Sequence, residues 1–332
     1  MLSVSLNRRV FLKWMGIIGA SFYMPQVNAG GKSSKGKRIG IIGLDSSHSL
    51  AFTELLFHAQ KGEFDGYKVV AAYPYGSKDL ALSKERIPLM TAEIKKYGVD
   101  IVDSISHLLR QVDVVLLETN DGRLHLEQAL EVIKAKKHLF IDKPIAASFA
   151  DSKAIFEAAE RFGVSVFSSS SLRYMPNVRA VASGKYGKVI GAETYSPATI
   201  EKSHPDLFWY GIHGVETLFA VMGPDCRSVS RFYSGDADVV VGIWDEGRIG
   251  TFRGLRSGKT DFGGTSFCEK EIVSLGPFSG YQPLLKEIIE FFKTGVSPVN
   301  AEETLAIIAF MEAAEESKRL GGIKVEISQF KR

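Results

Sequence analysis

Between residues 38 and 168, short apolar runs alternate with stretches of helical periodicity, and this alternation restricts the fold more than any other feature of the chain. Arg38-Ile39-Gly40-Ile41-Ile42-Gly43 is a brief apolar run closed by glycine, the pattern of a strand buried on both faces of a parallel sheet. The pattern predicts a helix over 50–60 and strands over 67–73, 100–102 and 112–117. A helix over 123–135, a strand over 138–141, a helix over 148–161 and a strand over 164–168 complete it. Strand–helix–strand repetition of this kind predicts βαβ units and a doubly wound, Rossmann-type parallel sheet.

The grammar changes after residue 170. A helix over 175–183 is followed by strand-like runs at 189–195, 227–233, 237–244, 247–253 and 266–275, with no helix predicted between most of them. Helices over 284–293 and 301–319 and a strand over 323–327 close the chain. Consecutive strands predict a mainly antiparallel sheet with helices on one face, an α+β domain. The expected organisation of this α/β protein is therefore a nucleotide-type domain over 38–170 and a second domain over 171–332.

The first 29 residues read as a targeting segment rather than part of either domain. Arg8-Arg9-Val10-Phe11-Leu12-Lys13 precedes an apolar run from Trp14 to Met24, and Val27-Asn28-Ala29 offers small residues for cleavage. The pattern resembles a twin-arginine signal, which predicts export to the periplasm. The apolar run is short for a stable membrane anchor. Residues 30–37 read as a polar linker. Arg8, Arg9 and Lys13, with no acid beside them, account for the whole formal net charge of +3. The remainder is electrically balanced, which argues against a nucleic-acid binder. Cys226 and Cys268 are the only cysteines. They suggest two buried thiols rather than a disulfide framework, and no metal site is expected.

Gly43-Leu44-Asp45-Ser46-Ser47-His48 lies between the first strand and first helix, where a dinucleotide fold places its phosphate loop. Tight turning and close approach to a pyrophosphate call for glycines there. Gly43 is present, but Asp45 and His48 stand where the second and third glycines belong. Asp45 would repel a pyrophosphate unless it turns away or caps the helix. Ser46 and Ser47 are candidate phosphate donors. The end of the second strand, Tyr73-Pro74-Tyr75-Gly76-Ser77-Lys78, has no acid for ribose hydroxyls, and Ser77 and Lys78 suit an extra phosphate or a solvated turn.

The segment Ile141-Asp142-Lys143-Pro144 resembles the acid-Lys-Pro turn of the Gfo/Idh/MocA family, the relatives of glucose–fructose oxidoreductase and inositol dehydrogenase. The resemblance continues through Ser171-Leu172-Arg173-Tyr174-Met175-Pro176 and residues 184–190. It resumes at 281–295 and 298–317, and so spans nearly all of residues 38–327. Trp209-Tyr210-Gly211-Ile212-His213-Gly214-Val215-Glu216 is similar to the family's second catalytic segment, with Trp209 in place of its first acid and Glu216 in place of its last. Asn120-Asp121-Gly122-Arg123-Leu124-His125 resembles the family's loop near the nicotinamide.

The resemblance implies NAD or NADP as cofactor, a carbohydrate or polyol as substrate and a homo-oligomer. It implies catalytic roles for Lys143, His213 and Glu216, and cofactor contacts from Gly43, Asp45, Ser46, Ser47, His48, Asn120, Asp142 and Lys143. Arg173, Tyr174, Trp209 and Tyr210 are expected to line the substrate pocket. A cofactor kept bound outside the cytoplasm would have to be reset within each cycle. The rival expectation is a non-redox carbohydrate-binding protein on a decayed dehydrogenase scaffold, favoured by Asp45, His48 and Trp209.

Overall fold

The computed structural model describes residues 37–330. The segment read as a twin-arginine signal lies outside them, as does the linker apart from Lys37. The first domain runs β1 (Arg38–Ile42), α1 (Ser47–Phe57), β2 (Lys68–Tyr73), α2 (Ala81–Lys95), β3 (Asp100–Ile101) and α3 (Ile105–Gln111). It continues through β4 (Val114–Leu117), α4 (His125–Lys134), β5 (Leu139–Ile141), α5 (Phe149–Phe162) and β6 (Val166–Ser168). All six strands are parallel, in the order β3-β2-β1-β4-β5-β6. The order reverses between β1 and β4, and in open sheets ligands bind outside the carboxyl ends of the strands at this point.

Local chemistry starts the helices. Ser46, Ser104 and Ser148 cap α1, α3 and α5, each accepting from a backbone N–H two or three residues on. Gly163 closes α5 in the left-handed conformation. Helix α2 lies in a stretch where the sequence pattern predicts no element. It holds Pro88 in its interior and buries only Ser83 and Ile94 completely, so it has little of the apolar stripe by which a helix is read. Helix α3 likewise escaped notice because it is only seven residues long.

The second domain runs α6 (Pro176–Ala182), β7 (Val189–Pro197), α7 (Ile212–Met222), β8 (Cys226–Tyr233), β9 (Ala237–Trp244), β10 (Ile249–Leu255), β11 (Gly263–Cys268) and β12 (Ile272–Ser274). It ends with α8 (Gln282–Thr294), α9 (Ala301–Arg319) and β13 (Val325–Glu326). The order is β12-β11-β7-β10-β9-β8-β13, antiparallel except for the β7–β10 pair. The run predicted over 266–275 is two strands, β11 and β12, joined by a tight turn. Cys226 and Cys268 are not bridged to each other.

Among the described residues, two cores hold the fold. One lies under α3, α4 and α5 and continues into the second domain around Phe219, Trp244 and Phe310. The other covers the opposite face of the first sheet, where Ile39, Phe52 and Phe140 meet Leu284, Leu285, Ile288 and Phe292 of α8. Helix α8, far along the chain, therefore covers the first sheet. A boundary at residue 170 divides the sequence more cleanly than it divides the packing.

Candidate active site

The carboxyl ends of β1, β4 and β5 stand side by side and deliver the loops of the switch point. Gly43 follows β1 with φ of +94°, and a Cβ there would lie 2.3 Å from the backbone nitrogen of Thr119. Its glycine is required by the neighbouring strand end as well as by any ligand. Above these loops is a cavity of about 170 Å³. Ser46, Ser47, His48, Asn120 and Lys143 line it from the first domain, and Trp209, Tyr210 and His213 from the second.

Asp45 turns away from the cavity. Its carboxylate accepts from Ser83 Oγ on α2 at 2.6 Å and from the backbone N–H of Asn120 at 3.0 Å. Arg86 donates to its carbonyl oxygen at 3.2 Å. Burial raises the Asp45 carboxyl to about 6 despite the hydrogen bond from Ser83. Ser46 caps α1 instead, and its hydroxyl also donates to Asp142 Oδ2 at 3.1 Å.

Lys143 is nearly buried, and its ammonium lies 3.5 Å from Asp142 Oδ2. The peptide joining it to Pro144 is cis. Asp142 also accepts from the Lys143 backbone N–H at 2.8 Å. Burial works against its charge, but His48 and Lys143 outweigh burial and hold the carboxyl well below the usual range. His48 faces Asp142 and Glu118. Burial opposes its charge too, and the two carboxylates push the imidazole up. Glu118, one residue past β4, is raised to about 7 by burial.

From the other side of the cavity comes His213, on the first turn of α7. Its Nδ1 lies 2.8 Å from Ser170 Oγ. Burial, aided by Lys143, drives its basicity well below that of free imidazole, so it is neutral at neutral pH. Glu216 does not orient it. That carboxylate accepts from Ser169 Oγ at 2.9 Å and from Arg173 Nε at 3.0 Å. Arg173 also pairs with Glu303 at 2.7 Å, and Tyr174 is buried in the core that α8 covers. Arg173, Tyr174 and Glu216 thus sit behind the cavity, not at it, because α9 supplies a second acid that draws Arg173 inward.

His125 is clamped between the carbonyl oxygens of Thr119 (2.6 Å) and Pro144 (3.0 Å), a structural position. His204 reaches across from the second domain to Asp121 at 2.9 Å, with the Trp209 ring against it. Ser77 donates to Asp79, which pairs with Arg123; this network ties the loop after β2 to the loop after β4. Sequence reasoning missed Arg86, Ser170, Tyr281 and Glu118. Tyr281 meets His48 edge-on at 4.7 Å and shares a hydrogen bond with Ser47 at 3.3 Å. Among them, only Glu118 carried a visible signal, an acid at the end of the all-apolar strand Val114–Leu117.

Residues 37–170 match the Gfo/Idh/MocA family model, described as an oxidoreductase family with an NAD-binding Rossmann fold. The first domain is thus similar to the Gfo/Idh/MocA oxidoreductase family. An inositol 2-dehydrogenase of Salmonella paratyphi B is 25% identical over 218 residues, 62% of this chain. The match spans 59% of that relative's own length. A 1,5-anhydro-D-fructose reductase of Ensifer adhaerens is 34% identical over 88 residues, 25% of this chain and 26% of its own. Among solved structures, scyllo-inositol dehydrogenase of Lactobacillus casei, with NAD(H) and scyllo-inositol bound, aligns with a TM-score of 0.72 at 14% identity. That alignment covers 89% of this chain and all of the other and establishes the shared fold.

The family's cofactor class is NAD or NADP, and the switch point of this chain has places for it. Ser46 and Ser47 stand at the amino end of α1, where backbone N–H groups and the helix dipole favour phosphate. Asn120 and Lys143 line the cavity beside them. The hydrogen bond from Asn120 to Asp45 bridges the loops after β1 and β4.

Proposed function

We propose that this protein is an NAD(P)-dependent dehydrogenase of a small carbohydrate or cyclic polyol, exported by the twin-arginine route, with the cofactor held tightly. The carrying observation is that Lys143 and His213, from different domains, line one small cavity at the switch point. The cofactor supplies hydride acceptance, and the protein supplies position and proton transfer. The Lys143 ammonium donates a hydrogen bond to a substrate hydroxyl and stabilises charge developing on that oxygen. When His213 Nδ1 donates to Ser170, its Nε2 is left as an acceptor, and a neutral imidazole there takes the hydroxyl proton. Trp209 and Tyr210 give the cavity aromatic faces on which a sugar ring stacks. The curated relatives that act on inositol and anhydrofructose support this substrate class.

Residues 8–13 support export. The open face of the second sheet, with Tyr195, Ile249 and Phe267 exposed, supports a homo-oligomer. A second reading, a non-redox carbohydrate-binding protein, is favoured by Asp45, which stands where the phosphate loop would carry its second glycine. The test is conversion of a panel of inositols and aldoses, followed by product analysis with nicotinamide absorbance in parallel, for the protein as purified and with added NAD+ or NADP+. Turnover is expected for the wild type, with Lys143→Met and His213→Asn each slowed at least about 100-fold. Absence of turnover across the panel, with sugar binding retained, favours the second reading.

A further inference from the structure

One layer beneath the cavity, three ligating side chains converge that the proposed chemistry does not use as a group. His48, Glu118 and Asp142 come from the carboxyl ends of three adjacent strands, β1, β4 and β5. One ligand atom from each lies within 4.8 Å of the other two. His48 Nδ1 is 3.1 Å from Asp142 Oδ1 and 3.5 Å from Glu118 Oε2. His48 is 3% exposed and the two acids are completely buried.

Hydrogen bonds leave this group unsatisfied. Asp142 has donors in Ser46 and the Lys143 backbone. Neither oxygen of Glu118 has a hydrogen-bond partner, and nor does His48 Nδ1. The imidazole is within ion-pair distance of both acids but in hydrogen-bond geometry with neither. A carboxylate buried without donors costs several kcal/mol. A single proton on Nδ1 cannot point at both acids. A cation seated between the three ligand atoms meets all of them at once.

We propose that His48, Glu118 and Asp142 bind a divalent transition-metal ion. Imidazole with two carboxylates and no thiolate is a donor set that zinc and manganese accept. Tetrahedral metal–ligand bonds of about 2.0–2.2 Å set ligand atoms about 3.4 Å apart, close to the 3.1 and 3.5 Å that separate His48 Nδ1 from the two acids. The ion ties the ends of three central strands together. Because His48 also borders the cavity, the ion has an open side towards it. This role accounts for a histidine where the phosphate loop would otherwise carry its third glycine. It is independent of whether a nicotinamide cofactor binds.

The test uses the full chain, stripped with a chelator, dialysed and titrated by calorimetry with Zn2+ or Mn2+ alone, with metal content counted by mass spectrometry. One ion per chain is expected for at least one metal, with a rise in melting temperature on binding. Glu118→Gln and His48→Gln are each expected to weaken binding at least 100-fold, while Asp45→Asn, which touches none of the three, binds as the wild type does. If Glu118→Gln does not fold, His48→Gln decides by the same criterion. The proposal is overturned if the wild type binds neither metal stoichiometrically, or if the folded variants bind as tightly as the wild type.

Discussion

At the scale of single residues, Asp45 shows how far a sequence reading reaches. Its position in the phosphate loop and its conflict with a pyrophosphate were legible from spacing alone. Its resolution was not, because the partners, Ser83 and Asn120, lie 38 and 75 residues away. The same distance in sequence hid the pairing of Ser170 with His213 and of Arg173 with Glu216. Asp45 also has a measurable consequence. Its folded value of about 6 lies above the ordinary 3.8. The folded state therefore holds this proton more tightly, and stability is lost as pH rises from about 4 through about 6. Asp45→Asn keeps a polar partner for both neighbours and removes this slope. Denaturation across that range should find the variant gaining on the wild type with rising pH, by up to about 3 kcal/mol in total. A pH-independent difference would contradict the burial argument.

At the scale of elements, the strands of the first sheet were readable because a parallel strand buried on both faces is apolar throughout, as Val114–Leu117 is. Helix α2 was not, since it presents almost no buried stripe and contains Pro88. Helix α8 was legible as a helix, but not in its place. Nothing local in residues 282–294 says that Leu284, Leu285 and Ile288 cover the sheet built from residues 38–168. Leu285 is completely buried there. Leu285→Ala should cost about 2–5 kcal/mol in urea denaturation, as for a core leucine. A cost near zero would mean that α8 does not form part of this core.

Across the whole molecule, the two domains meet at the cavity and divide its work. The parallel sheet brings Lys143 to the switch point, and α7 of the second domain brings His213 to face it. The His204–Asp121 contact and the return of α8 hold the halves together on either side. The family and fold were legible from motif order. Which of the matched residues actually reach the cavity was not. Lys143, His213, Trp209 and Tyr210 do, while Arg173 and Glu216 form a buried ion pair behind it and Tyr174 lies in the core that α8 covers. The central claim is that a nicotinamide cofactor works at this switch point, and the direct measurement is titration of the purified protein, freed of any nucleotide it retains, with NADH and NADPH, followed by nicotinamide fluorescence. The account predicts saturable binding of at least one of them at one per subunit, tightened in Asp45→Gly, which restores the second glycine of the phosphate loop. No saturable change with either nucleotide, in the wild type and in Asp45→Gly alike, would contradict it.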